Sequence, residues 1–311
     1  KLEECKIYNV YGREETIFEH CIRAIEKGIN LGANNLPKIG TGDWNDGFSN
    51  IGSQGIGESI WLGFFIYDIL KRFEKLLEKK DKIELIERYT IIREIIRKAL
   101  NTFAWDGNWY IRATTDNGKV IGSNKNIECK IDSISQSWSV ISEAGDNDKK
   151  YIAMESVKKY LIDKEEKLIK LLTPAFNNQE YNPGYISKYK NGIRENGGQY
   201  THGVIWTVLA LTKLEMREES FELIDMLNPL NHGSTEEEIR KYKGEPYVLA
   251  GDVYTNKDMY GKAGWTWYSG AASWFYKVVL ENILGLQIQG NKLYIKPCVP
   301  KDWEEYSVNY M

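Results

Sequence analysis

The chain has 311 residues, with 41 Lys and Arg against 44 Asp and Glu and a formal net charge of −3. Hydrophobic residues make up 42%, ample for a buried core, and the near-balance of charge excludes an electrostatic nucleic-acid binder, which carries a basic excess. The sequence has no apolar run of the ~18 residues that a membrane-spanning helix requires, and no membrane partner is expected.

Helical periodicity dominates the predicted elements. Segment 15–27, ETIFEHCIRAIEK, sets Ile17, Phe18, Cys21, Ile22 and Ile25 on one face at i, i+3, i+4 spacing. A longer apolar helix is predicted over 59–77 and a strongly amphipathic one over 83–103. Shorter helices follow at 133–142, 149–161, 198–214, 218–227 and 270–284. Between them, 32–58, 104–132, 174–197 and 228–268 are long connections rich in Gly, Asn, Asp and Trp. Connections of that length usually carry function on a rigid scaffold. At 286–297 the period changes: LQIQGNKLYIKP alternates about Gly290-Asn291 and predicts a β-hairpin, and a second alternating run over 306–311 predicts a further strand. Functional loops need a scaffold that gathers them at one side, as an antiparallel helical toroid does. The expected fold is mainly α with a small β appendix.

Four cysteines, Cys5, Cys21, Cys129 and Cys298, lie far apart without CxxC spacing and read as reduced thiols of a cytoplasmic protein. The opening KLEECKIYNV holds no apolar h-region, and no secretory signal is expected.

Three segments concentrate chemistry. LPKIGTGDWNDGFSN, residues 36–50, places Asp43 and Asp46 about Trp44 among glycines. Partial burial beside an aromatic ring can hold a carboxyl protonated as a general acid; a pair of Asx turns around a core Trp is the alternative. A metal reading through Asp43, Asp46 and Glu58 is weaker, because the glutamate spacing of an EF-hand is missing. RENGGQYTH, 194–202, leads into an apolar helix. Its glycine pair offers backbone N–H groups and His202 falls in the first helical turn, together an anion site; a plain helix start with a hydrogen-bonded His is the alternative. With only His20, His202 and His232, no multi-histidine metal site is expected. GWTWYSGAASW, 264–274, puts Ser269 and Gly270 where the last helix begins, with Ser269 as N-cap and amides exposed to an anion. Its bland reading is capping plus aromatic packing that takes Trp265 or Trp274 into the core. A fourth segment, WDGNWYIR at 105–112, has the composition of a sugar platform, although such a lone signal is more often structural. One acid and two anion cradles lined by aromatics suggest phosphate attacking a sugar.

In this order, LPKIGTGDWNDGFSNIGSQGIGESIWLG, WDGNWYIRA, CKIDSISQSW, RENGGQYTHG, KGEPYVLAGDVY and GWTWYSGAASW resemble glycoside hydrolase family 94, the inverting phosphorylases of β-linked glucosides. The resemblance runs from about residue 10 to the C-terminus, and its last two motifs resemble the branch of the cyclic β-1,2-glucan synthase C-terminal modules and 1,2-β-oligoglucan phosphorylases. It implies a partial (α/α)6 catalytic barrel over 1–284, with 285–311 as a hairpin opening a β-sandwich. The implied reaction is inverting phosphorolysis of a β-linked gluco-oligosaccharide to α-glucose 1-phosphate and a shortened sugar. Carried over by residue, Asp46 of the W-N-D triplet is the general acid and Trp44 packs against the reacting sugar. Arg194 and Glu195 lie near the sugar, while His202 with Ser269-Gly270, where the family has Thr-Gly, holds phosphate. Inorganic phosphate is then a co-substrate, and no cofactor or metal is called for. The partners are a β-glucan oligosaccharide and phosphate, with a homodimer as the family's habit. Family members carry a β-sandwich, a linker and the first barrel helices ahead of this region. The roughly eight predicted helices fall short of a ring of twelve, so the chain reads as a C-terminal fragment missing part of its own polypeptide. An inverting hydrolase on the same barrel and a non-catalytic oligosaccharide-binding module stand as alternatives.

Overall fold

The computed structural model describes residues 6–8 and 14–309. Nine α-helices lie among these residues: α1 (Ile17–Gly28), α2 (Ile60–Lys79), α3 (Ile83–Thr102), α4 (Ser133–Ile141), α5 (Asn147–Leu161), α6 (Thr201–Lys213), α7 (Arg217–Leu227), α8 (Glu236–Tyr242) and α9 (Ser269–Val278). Their starts follow local chemistry. Thr16 and Glu19 form a capping box at α1, Ser59 Oγ accepts from Leu62 N–H at α2, and Asp132 caps α4 through Ile134 N–H. The predicted helix at 270–284 divides into α9 and a π-helical stretch, Val279–Ile283.

Helices α2, α4, α6 and α9 pack in series, each on the next, while α3 packs on α2, α5 on α4 and α7 on α6. The result is an arc of two helical layers. Every residue of α4 is buried, and α6 is buried from Thr201 to Thr212 apart from a half-exposed His202. Helices apolar around most of their circumference must lie inside, whereas α3 buries only one stripe, Tyr89, Ile96, Ala99, Leu100 and Asn101. Trp206 of α6 stacks on Trp61 of α2 at 6.2 Å and meets Trp138 of α4 edge-on at 5.3 Å.

The two ends of the arc differ. At one end the connections are short: 80–82, 142–146 and 214–216. At the other they are 29–59, 103–132, 162–200 and 228–268. These four loops are knitted together by small antiparallel pairings: Ser59 with Ala113, Ile131–Asp132 with Leu172–Thr173, and Gln199–Tyr200 with Asp252–Val253. Phe48, Ile121, Leu172, Phe176 and Ile186 form a second core beneath them. The Gln199–Tyr200 pairing also explains why α6 begins at Thr201 and not at 198. Helix α8 sits inside the last loop, where sequence periodicity predicts none; its Thr235–Glu238 capping box was legible.

The hairpin Leu286–Gln289/Lys292–Ile295 turns at Gly290-Asn291 as predicted, with Gly290 at φ +64°. The strand expected at 306–311 is absent over 306–309, the described part of that run. Alternation supplies no pairing partner by itself, and the Tyr306 hydroxyl instead donates to Leu284 O at 2.8 Å. Residues 310–311 and Cys5 lie outside the described residues. Cys21, Cys129 and Cys298 are free thiols, and no described helix is long and apolar enough to cross a membrane.

Candidate active site

The 42–48 turn is built on a buried ion pair. Arg112, a fully buried side chain, donates through Nη1 and Nη2 to Asp43 at 2.6 and 2.7 Å. Asp43 also accepts from Ser59 Oγ at 2.6 Å and from Asn45 N–H at 2.9 Å. On its other side the Arg112 Nε stands 3.4 Å from Asp132 Oδ2. Burial alone would lower the guanidinium pKa, but Asp43 and Asp132 outweigh it and hold it above the ordinary value. One cation thus joins the acid turn to the N-caps of α2 and α4.

With Asp43 so engaged, the two carboxylates of the turn take opposite places. Asp43 is sealed inside and Asp46 is exposed, so the expected partial burial of Asp46 is not found. Asp46 faces Tyr185, whose phenol is pushed up by its own burial and then by the Asp46 carboxylate that accepts from it. The metal reading loses its ligands for the same reason. Asp43 belongs to Arg112, and Glu58 accepts from Asn34 and Leu36 N–H at 3.0 and 3.2 Å. Among the described residues no group of three metal-ligating side chains forms. WDGNWYIR is likewise structural: Arg112 is its buried end, Trp109 Nε1 donates to Gly122 O, and the Tyr110 hydroxyl donates to Asn101.

Trp44 leads from the acid turn to the anion side. Its ring meets His202 edge-on at 5.6 Å and Trp206 at 5.3 Å. Gly203 makes that approach possible, since a Cβ there would lie 2.9 Å from the Trp44 ring. His202 occupies the first turn of α6 as predicted, and burial lowers its imidazole pKa. The start of α9 lies over it: a Cβ on Gly270 would stand 3.8 Å from His202 Nδ1. Ser269 is the first helical residue and is exposed; the N-cap is Tyr268, without a side-chain cap, so Ser269 is not the cap expected. The opening amides of α9 are therefore free of a capping side chain.

Arg194 and Glu195 lie between these halves. Their side chains pair at 3.5 Å, and the Arg194 guanidinium sits 3.8 Å from the Trp265 ring centre. Glu195 is buried with Oε2 lacking a hydrogen-bond partner; burial raises its pKa, Arg194 opposes, and Asp46 adds to the rise. Asp252, also raised by burial, accepts from Arg194 and Trp265 N–H and so orders both loops. A small pocket of about 50 Å³ opens here, walled by Arg194, Tyr200, His202, Asp252, Trp265, Tyr268 and Gly270. Of Trp265 and Trp274, one or the other of which was expected in the core, Trp274 is half-buried against His202, while Trp265 is 53% exposed at the pocket wall. A larger groove, lined by Lys150, Lys213, Glu215 and Lys296, lies at the opposite end and contains none of these groups.

Asp46, Trp44, Arg194, Glu195, His202, Ser269 and Gly270 therefore gather at the long-loop end. Tyr185, Asp252, Arg112 and Tyr189, whose ring takes the Arg194 guanidinium at 5.2 Å, join them without a sequence signal of their own. The Glycosyl hydrolase 94 superfamily, catalytic domain, matches residues 1–285 of this sequence. The chain belongs to this family. Among its relatives, the cyclic beta-(1,2)-glucan synthase NdvB of Rhizobium meliloti (strain 1021) is 42% identical over 295 residues, covering 94% of this chain and 10% of that protein. Solabiose phosphorylase of Paenibacillus borealis is 28% identical, covering 94% of this chain and 38% of its own length. N,N'-diacetylchitobiose phosphorylase of Vibrio proteolyticus is 29% identical, covering 96% and 36%. This family member thus spans between about a tenth and two fifths of these relatives. Its fold resembles that of a sialidase, with a TM-score of 0.62 at 11% identity over 93% of this chain and 26% of the sialidase.

Proposed function

We propose that this chain carries the acid and the phosphate cradle of an inverting phosphorolysis, splitting a β-linked gluco-oligosaccharide into α-glucose 1-phosphate and a shortened sugar. The observation that carries the reading is a pairing. Asp46 is the carboxylate of its turn that stays outside the Arg112 ion pair, and across Trp44 the His202 ring lies beneath the uncapped start of α9. An inverting hydrolase needs a second carboxylate to deprotonate water. Phosphate arrives ionised and needs no base. Asp46 protonates the glycosidic oxygen while phosphate, held by His202, Ser269 and Gly270, attacks the anomeric carbon from the opposite face. Trp44 supports the sugar ring, and Arg194 with Glu195 takes its hydroxyls. Glu195 Oε2 supports that role: it is buried, meets Arg194 Nε only at 3.5 Å and has no hydrogen bond among the described residues, so a sugar hydroxyl would supply the bond that the ion pair does not.

The arc of α2, α4, α6 and α9 is read as part of an (α/α)6 barrel over 1–284, and the hairpin as the opening of a β-sandwich over 285–311. The cytoplasm is the proposed location, on the strength of the cysteine pattern. The similarity to NdvB, a cyclic beta-(1,2)-glucan synthase, favours a β-1,2-glucan among substrates. Incubation with β-1,2-, β-1,3- and β-1,4-linked gluco-oligosaccharides, with and without phosphate, tests the reading. Sugar 1-phosphate formed only with phosphate, of α configuration by NMR, is the expected result, and Asp46→Asn lowers it by about 10²–10⁴-fold. Glucose release independent of phosphate overturns it.

A further inference from the structure

The loop that walls the pocket also carries two aromatic rings that the proposed cleavage does not use. Trp267 is 72% exposed and Tyr247 76%, and their rings meet at 6.5 Å with planes 64° apart. Trp267 holds φ at +65°, the left-handed region that a bulky L-residue enters only under constraint. Its indole N–H donates to Glu245 Oε1 at 3.4 Å, which sets the direction of the ring. The fold gains little core packing in return, because the ring stands in solvent.

Its neighbours are placed differently. Trp265 and Tyr268 stack on each other at 5.7 Å, and Trp265 also receives Arg194, so these rings are already partnered while lining the pocket beside His202 and Gly270. Trp267 lies between Trp265 and Tyr268 in the chain, so its exposed ring is carried by the segment that lines the pocket. Flat rings with a carboxylate beside them match a ligand that has apolar ring faces and hydroxyl edges.

We propose that Trp267 and Tyr247, oriented by Glu245, form a remote subsite for a further sugar unit of a β-linked glucan chain whose end occupies the pocket. The inference rests on the proposed function and extends it to chain length. Linear β-1,2-gluco-oligosaccharides of two and of six units are titrated by calorimetry, without phosphate, into the Asp46→Asn chain and into Asp46→Asn carrying Trp267→Ala or Trp267→Gly. The six-unit sugar is expected to bind about tenfold more tightly than the two-unit sugar, and Trp267→Ala to remove that advantage while leaving the two-unit affinity within about twofold. Trp267→Gly removes it too and, by relieving the left-handed backbone, raises the melting temperature by about 1–3 °C. Binding of both sugars without a length advantage, or an advantage that survives Trp267→Ala, overturns the remote subsite alone. A fall in melting temperature for Trp267→Gly also overturns it, since the ring would then be supporting the fold. Failure of both sugars to bind overturns the proposed function as well.

Discussion

Replacing Arg112 with methionine tests the reasoning about the acid turn most directly. Methionine fills much of the same space but removes the cation that, among the described residues, pairs with Asp43 and Asp132, both sealed from solvent. Two short hydrogen bonds to Asp43 are lost with it. Breaking a buried ion pair from one side costs about 3–5 kcal/mol, because a charge stays behind without compensation. A domain of this kind has about 5–15 kcal/mol in total, so the loss is about a fifth of it or more. Urea unfolding followed by circular dichroism at neutral pH measures the change; urea is preferred to guanidinium because it leaves charges unscreened. Adding Asp43→Asn to Arg112→Met is expected to restore part of the loss, since the stranded charge is removed. A cost under about 1 kcal/mol for Arg112→Met, or no recovery in the double variant, refutes the claim that a buried ion pair holds the turn.

Other outcomes follow from the same geometry. Burial lifts the Asp132 carboxyl from its ordinary 3.8 to about 6, so its contribution to stability is present below pH 3.8 and is lost as pH rises through about 6. Melting curves against pH should then show Asp132→Asn, which keeps a capping side chain, gaining on the parent across that window, and parallel curves contradict it. The His202 imidazole, lowered by burial, should titrate below its ordinary value of 6.5 in NMR and move upward when inorganic phosphate is added; an unmoved titration speaks against phosphate contact. Gly270→Ala should be neutral or stabilising by about 0.5–1 kcal/mol in thermal unfolding while weakening phosphate binding at His202, and unchanged phosphate affinity removes α9 from the cradle. Gly192, at φ +78°, would place a Cβ 2.2 Å from Asn256 N, so Gly192→Ala should cost more than about 1 kcal/mol by urea unfolding, and a neutral result means the two loops can part freely.

Much of the helical layer was legible from local pattern. The apolar stripe of α1 and the apolar α2 announce themselves within one or two turns, and the Gly290-Asn291 turn specifies its hairpin. The loops were legible as loops but not in their pairing. Two-residue pairings such as Ile131–Asp132 with Leu172–Thr173 have no period to detect and exist only once distant segments meet. The same limit divides the site. Asp46, Trp44 and His202 stand in short motifs whose residue types state their chemistry. The difference between Asp43 and Asp46 depends on Arg112, 69 residues from Asp43 in sequence, inside a segment whose aromatics suggested a sugar platform. Tyr185 and Asp252 act through neighbours that only the folded chain supplies.

The unequal ends of the helical arc have a consequence for how such a protein diversifies. Lengthening a closed loop costs conformational entropy only with the logarithm of its length, so insertions among 29–59, 103–132, 162–200 and 228–268 are cheap once their bases are pinned. At the opposite end, turns as tight as 80–82 and 214–216 set the spacing of packed helices directly, and an added residue there would have to move a helix. Variation is therefore channelled to the end that meets the ligand, while the end that sets helix spacing stays constrained.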